Sequence, residues 1–125
     1  MSDPLTVIRE EDRPEVPFPG GATYRTLIGD DNGAAIPIRT GIQTSQPGYA
    51  TREHSHPYVE ILTVLDGKGE AWLEGEPGTV AMEKGVTISI PANQVHGFRV
   101  LGDQPLVTYG IHTYPKRVVN FKGET

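Results

Sequence analysis

Short apolar runs separated by turn residues recur along the 125-residue chain from residue 22 onward. Most runs are rich in Val, Ile and Thr, and no window of about 11 residues shows the period of an amphipathic helix. Their spacing is close to the roughly 8–12 residues expected of a β-sandwich or barrel, so the pattern predicts one all-β domain. We also expect at most a short helical turn near either terminus. The predicted strands are 24–28, 36–44, 59–65, 69–74, 79–82, 86–90, 95–101 and 106–113.

Glycine, proline, asparagine and aspartate mark the boundaries between these runs. We expect turns at Asp31-Asn32-Gly33, Pro47-Gly48 and Glu76-Pro77-Gly78. Asp66-Gly67 lies between two predicted strands and indicates a β-hairpin.

The first 20 residues form a Pro-rich, charged arm, and residues 21–125 form the barrel domain. Each proline removes a backbone donor, so a central strand or a helix is not expected in the arm. Two interpretations carry equal weight: a loosely held tail, or a segment that lies across a partner subunit. The prolines of the arm are Pro4, Pro14, Pro17 and Pro19.

Charge and composition exclude several classes of protein. The formal net charge is -5, from 11 basic and 16 acidic residues, so binding to nucleic acid is disfavoured. There is no cysteine, which removes disulfides and thiolate chemistry. No apolar run approaches the ~18 residues of a membrane span, and the N-terminus lacks the pattern of a signal peptide. We therefore expect a cytoplasmic protein.

The candidate chemistry lies in histidines, of which the chain has four. His54 and His56 are two residues apart, so on extended backbone both side chains point to the same face. Glu60 opens an apolar strand, where a free carboxylate would be costly to bury and a bound cation would compensate it. A hairpin after Pro57 would bring Glu60 beside the histidines, and His96 starts another predicted strand. The pattern therefore favours a site for one divalent metal ion.

These residues resemble the two motifs of the cupin superfamily. Gly48 to Gly67 reads G-x5-H-x-H-x3-E-x6-G, which matches the first motif in full. The segment from Gly85 to His96 is similar to the second motif, G-x5-P-x-G-x2-H-x3-N. Asn93 stands where that motif has glycine, and Val100 where it has asparagine. Asparagine tolerates left-handed backbone, so the turn at residue 93 can survive the change.

The resemblance implies a double-stranded β-helix, the jelly-roll barrel of cupins, with a metal inside. His54, His56, Glu60 and His96 fall on the metal-ligand positions of that family. Three imidazoles and one carboxylate suit Fe2+ or Mn2+, although Ni2+, Co2+, Cu2+ or Zn2+ would also bind. The resemblance further implies a homodimer, because small cupins commonly pair through one sheet.

Several other residues are candidates for the substrate pocket. Phe98 shares a face with His96, and Tyr58 follows the Pro57 turn; Tyr109 is the third candidate, and core packing is the competing role for each aromatic. Arg39 and Gln43 share a face of one strand and can bind a substrate carboxylate if that face is inward. His112 matches no ligand position of the family. It is either a structural histidine or a general acid or base.

Two functions remain open from the sequence. The first is a metal-dependent enzyme that acts on a small oxygenated organic molecule by dioxygenase-type chemistry or by metal-assisted isomerase or lyase chemistry. The second is a small-molecule or metal-binding module without catalysis. The resemblance to the family does not decide between them, since one fold hosts many reactions.

Overall fold

The computed structural model describes residues 5–30 and 36–124, and the ordered elements in these ranges are almost entirely β-strands. A single 3₁₀ turn at Glu10–Asp12 agrees with the expected helical turn near a terminus. Within the described ranges, no helix is long and apolar enough to cross a membrane. The strands are β1 (Val16–Phe18), β2 (Ala22–Ile28), β3 (Arg39–Ser45), β4 (His54–Ser55), β5 (Glu60–Asp66), β6 (Lys68–Leu73), β7 (Val80–Glu83), β8 (Thr87–Ile90), β9 (His96–Leu101), β10 (Leu106–His112) and β11 (Asn120–Phe121).

The strands form two facing antiparallel sheets. The larger, six-stranded sheet has the order β1-β2-β3-β10-β5-β8, and the smaller, five-stranded sheet has the order β11-β4-β9-β6-β7. Most neighbours within a sheet, such as β3 and β10 or β4 and β9, are not consecutive in sequence, which is typical of a jelly-roll barrel. The predicted fold class is therefore confirmed.

The alternation of side chains explains why these segments are strands. On β10 the even-numbered residues are buried and the odd-numbered residues are partly exposed, and β5 shows the same alternation from Glu60 to Val64. One face of each strand therefore points into the barrel. The apolar core between the sheets consists of Ala22, Tyr49, Leu62, Val64, Ala71, Met82, Ile90, Phe98, Val100 and Leu106.

Each of the eight predicted strands overlaps an observed strand, whereas β1, β4 and β11 were not predicted. These three strands are only two or three residues long, which is too short to show a period. β1 belongs to the Pro-rich arm and pairs with β2 at the edge of the larger sheet. The predicted turn at Asp31-Asn32-Gly33 lies outside the described residues.

The hairpin predicted at Asp66-Gly67 is wrong. β5 pairs with β10 and β8 in the larger sheet, whereas β6 pairs with β9 and β7 in the smaller one. Gly67 has φ +84°, and a Cβ there would lie 2.2 Å from the carbonyl oxygen of Pro105. The dipeptide is thus a tight corner between sheets. The hairpin predicted after Pro57 is wrong for the same reason, because β4 and β5 lie in opposite sheets.

Candidate metal centre

Side chains from both sheets meet inside the barrel. His54 on β4 is paired in register with His96 on β9 in the smaller sheet, while Glu60 projects from β5 in the larger sheet. His56 follows β4 directly. The candidate ligand atoms of these four residues all lie within 4.8 Å of one another. The residues that the sequence singled out as metal ligands are therefore brought together, across the two sheets rather than along one hairpin.

The three histidines present the same ring atom to the centre of the cluster. Each Nδ1 lies within hydrogen-bond distance of a backbone carbonyl oxygen and can donate only in the tautomer that carries its proton. Each Nε2 is then left with a lone pair, which is the form that coordinates a metal. The acceptors are the carbonyls of Arg52 for His54 (2.7 Å), Val118 for His56 (2.6 Å) and Gln94 for His96 (3.0 Å).

Glu60 supplies the negative charge of the cluster. Its Oε1 lies 3.2 Å from Nε2 of His56 and 3.4 Å from Nε2 of His96, yet it is buried and has no hydrogen-bond partner. Lone pairs on three buried atoms that face one another repel unless a cation lies between them. The orphaned oxygen and the orientation of the rings therefore fit a divalent metal ion.

Burial and the close contacts shift the pKa values in this cluster. Burial lowers the pKa of His54 to about 4, although the hydrogen bond with Arg52 opposes the shift. Burial by itself raises the pKa of Glu60, but in the metal-free protein ring N–H groups that can donate to the carboxylate, that of His112 foremost, outweigh burial and hold the pKa well below its usual range. For His54 and Glu60, the unprotonated forms required of metal ligands are thus favoured near neutral pH.

His112 is a fifth member of the cluster. It is buried on β10, and its Nε2 lies 3.2 Å from Oε2 of Glu60. Its Nδ1 lies 2.6 Å from the hydroxyl of Tyr58, and that hydroxyl also accepts a hydrogen bond from the backbone N–H of Val118 at 3.2 Å. His112 therefore contacts the carboxylate oxygen that faces away from His56 and His96.

A cavity of about 380 Å³ adjoins the cluster and lies between the two sheets. Glu60 and the four histidines contribute to its wall, which is otherwise largely apolar and aromatic. This size and character are typical of sites for small organic ligands. The aromatic residues of the wall are Phe18, Tyr24, Tyr49, Phe98 and Phe121.

The predicted pocket residues divide into two groups. Phe98 and Gln43 line the cavity. Tyr109 lies on the outer face of β10, because it falls between the inward-facing Thr108 and Gly110. Tyr58 is not part of the wall, and its hydroxyl contacts Nδ1 of His112.

Arg39 is not among the residues that line this cavity either. Its guanidinium donates to Oγ1 of Thr26 at 2.8 Å and pairs with Asp30 at 3.3 Å, at the end of β3. Two arginines line the cavity instead, Arg52 and Arg117, and Arg117 comes from the segment after β10. No motif marked that segment, so sequence reasoning missed Arg117.

A second cavity, of about 330 Å³, lies near the edge strands β7 and β8. Leu62, His96 and Phe98 border both cavities.

The comparison with protein families agrees with the fold. The family described as "Cupin domain" matches residues 41–112, which is more than half of the chain. The chain therefore belongs to the cupin family.

Three similar proteins illustrate the range of proteins that this chain resembles. A 5-nitrosalicylic acid 1,2-dioxygenase from a Bradyrhizobium species is 29% identical over 87 residues, which span 68% of this chain but only 41% of that protein. The crystal structure of a cupin-like protein from Thermotoga maritima is 31% identical, with a TM-score of 0.72 over 82% of this chain and 77% of that one. The polyketide cyclase of Streptomyces resistomycificus, at 23% identity, shares the fold, with a TM-score of 0.80 over 97% of this chain and 87% of that one.

Proposed function

We propose that the chain is a metal-dependent oxygenase that acts on a small organic compound. One observation carries the proposal: three histidine Nε2 atoms and the unpartnered Oε1 of Glu60 converge at the wall of a cavity sized for such a compound. The similarity to an enzyme named as a 1,2-dioxygenase favours oxygenation over the other reactions of the fold.

His54, His56, Glu60 and His96 would hold one divalent ion, for which Fe2+ or Mn2+ is favoured by the mixed nitrogen and oxygen donors. When bound, such an ion supplies Lewis acidity and a place for dioxygen. The protein contributes the rest. The backbone carbonyls fix the imidazole tautomers, His112 orients the carboxylate, and the aromatic wall excludes water from a bound substrate.

Metal binding can be tested without knowing the substrate. The chain, stripped with a chelator and reloaded anaerobically, should hold about one Fe2+ or Mn2+ and melt at a higher temperature by linkage. His96→Ala should remove most of that rise, whereas Gln94→Ala, which alters a neighbouring exposed side chain, should preserve it. An unchanged metal-dependent rise in the His96→Ala variant would refute the ligand assignment.

The reaction is tested by oxygen uptake. The iron-loaded protein should consume dioxygen when supplied with hydroxylated aromatic acids, and His96→Ala should not. The alternative function, a binding module without catalysis, predicts a different result: tight binding of such compounds with no turnover under any reconstituted metal.

A further inference from the structure

Arg117 is held at the cavity wall by the backbone of the residue that follows it. The carbonyl of Val118 contacts Nδ1 of His56 at 2.6 Å, and the N–H of Val118 donates to the hydroxyl of Tyr58 at 3.2 Å. Both contacts tie the segment after β10 to the metal cluster. The position of Arg117 is therefore fixed relative to the candidate ligands, although its own side chain is exposed.

Arg117 differs from the other arginine of the cavity wall in its contacts. Arg52 forms an ion pair with Glu124 and lies over the ring of Phe121 at 4.4 Å. Arg117 lies over the ring of Phe18 at 5.0 Å, and no carboxylate within residues 5–30 and 36–124 pairs with it. In a chain of net charge -5, an arginine at a cavity without an acidic partner is available to an anionic ligand.

The positive charge of Arg117 affects tyrosines on several segments of the barrel. Burial raises the pKa values of Tyr24, Tyr49 and Tyr58, and the positive charge of Arg117 opposes the rise at each of them. Two of these tyrosines line the cavity, so the positive potential of Arg117 extends into the space where a ligand would lie. Glu60, the one acidic residue of the wall, is already engaged by the histidines.

We propose that Arg117 is the residue that recognises the substrate, and that the substrate is a small aromatic carboxylate. The guanidinium would bind the carboxylate by charge-assisted hydrogen bonds. The planar body would lie against the aromatic wall formed by Phe18, Tyr49 and Phe98. This inference names the substrate class of the proposed oxygenase and rests on that function for the reaction, but carboxylate binding itself needs no turnover.

The test compares benzoate with benzamide, which has the same shape without the charge. Calorimetry on the metal-loaded protein should show tighter binding of benzoate than of benzamide. Arg117→Gln should weaken benzoate binding by about tenfold, because it removes one partly solvated ion pair, and leave benzamide binding unchanged. Arg117→Lys should retain part of the affinity. Lys116→Gln, the matched loss of an adjacent exposed cation, should have no effect.

Several results would overturn the inference. They are an unchanged benzoate affinity in Arg117→Gln, an equal loss in Lys116→Gln, and no benzoate binding by the unaltered protein. Equal melting temperatures of the variants would show that folding is not the cause of any difference. If benzoate binding depends on Arg117 but no oxygen uptake occurs with any metal, the oxygenase proposal fails and the recognition role stands.

Discussion

Glu60 and His112 face each other across β5 and β10, and Nε2 of His112 lies 3.2 Å from Oε2 of the carboxylate. The other oxygen, Oε1, faces His56 and His96. The two oxygens therefore have different surroundings: one is next to a ring nitrogen that can donate, and the other has no hydrogen-bond partner. Such a division favours a carboxylate that would bind a metal through one oxygen and be oriented through the other.

Removing His112 should weaken metal binding although it is not one of the four proposed ligands. In His112→Ala the carboxylate loses the contact at Oε2 and can rotate away from the imidazoles. We expect metal affinity to fall by about 10- to 100-fold, as for other residues that orient ligands. His112→Gln, which keeps an N–H donor, should lose less. Competition with a chromogenic chelator measures the affinities, and equal affinities for His112→Ala and the unaltered protein would contradict the role.

The hydroxyl of Tyr58 should contribute to stability through His112. In the tautomer that donates Nε2–H to Glu60, Nδ1 of His112 accepts a hydrogen bond from this hydroxyl at 2.6 Å. Tyr58→Phe leaves that buried nitrogen and the N–H of Val118 without a partner, at a cost of about 1–3 kcal/mol. Urea unfolding of the metal-free protein measures the cost. Tyr114→Phe is the control, because Tyr114 is 49% exposed and only stacks on Tyr58; an equal loss in both variants would rule out the hydrogen bond as the cause.

Acid should destabilise the metal-free protein in a defined range. The pKa of His54 falls from its ordinary 6.5 to about 4 on folding, so between these values the unfolded chain binds a proton that the native state does not. The pKa of Glu60 is also lowered, so its contribution is present above its ordinary value of 4.5 and is lost as the pH falls further. Stability should therefore decline as the pH falls from about 6.5 to 4. Melting temperatures measured against pH with a chelator present test this. The His54→Gln variant should show a shallower decline, and an equally steep decline in that variant would show that His54 is not the cause.

The four proposed ligands could be named from the sequence because each lies within a short motif. His54, His56 and Glu60 fall within seven residues, and the Asn93 turn that precedes His96 tolerates asparagine as expected, with φ 65°. The N–H of Asn93 donates to the carbonyl of His56 at 2.7 Å, which joins the two motifs. Local spacing therefore carried most of the information about this part of the site.

Beyond the ligands, the sequence could name candidates such as Phe98, Gln43 and His112 but not how they are placed, because placement depends on which sheet each strand joins. Glycine after Asp66 is compatible with a hairpin or with a corner between sheets, and the choice depends on contacts with Pro105, which is distant in sequence. His112 and Arg117 follow no motif and reach the cluster only through the pairing of β10 with β5 and the course of the segment after β10. Such relationships are set by tertiary pairing rather than by a local pattern.

The outer face of the larger sheet should form a homodimer interface, as the resemblance to small cupins led us to expect. Tyr109 on β10 lies between Ile42 of β3 and Thr63 of β5, and Ile111 lies beside Ile61, so partly exposed apolar side chains are contiguous there. Light scattering should give twice the mass of one chain, and Tyr109→Glu should shift the protein to the monomer because an unpaired charge cannot be buried cheaply. Val80→Glu, an equally charged change at the exposed edge strand of the other sheet, should remain dimeric. A monomeric unaltered protein, or a monomer produced equally by both variants, would contradict an interface on this face.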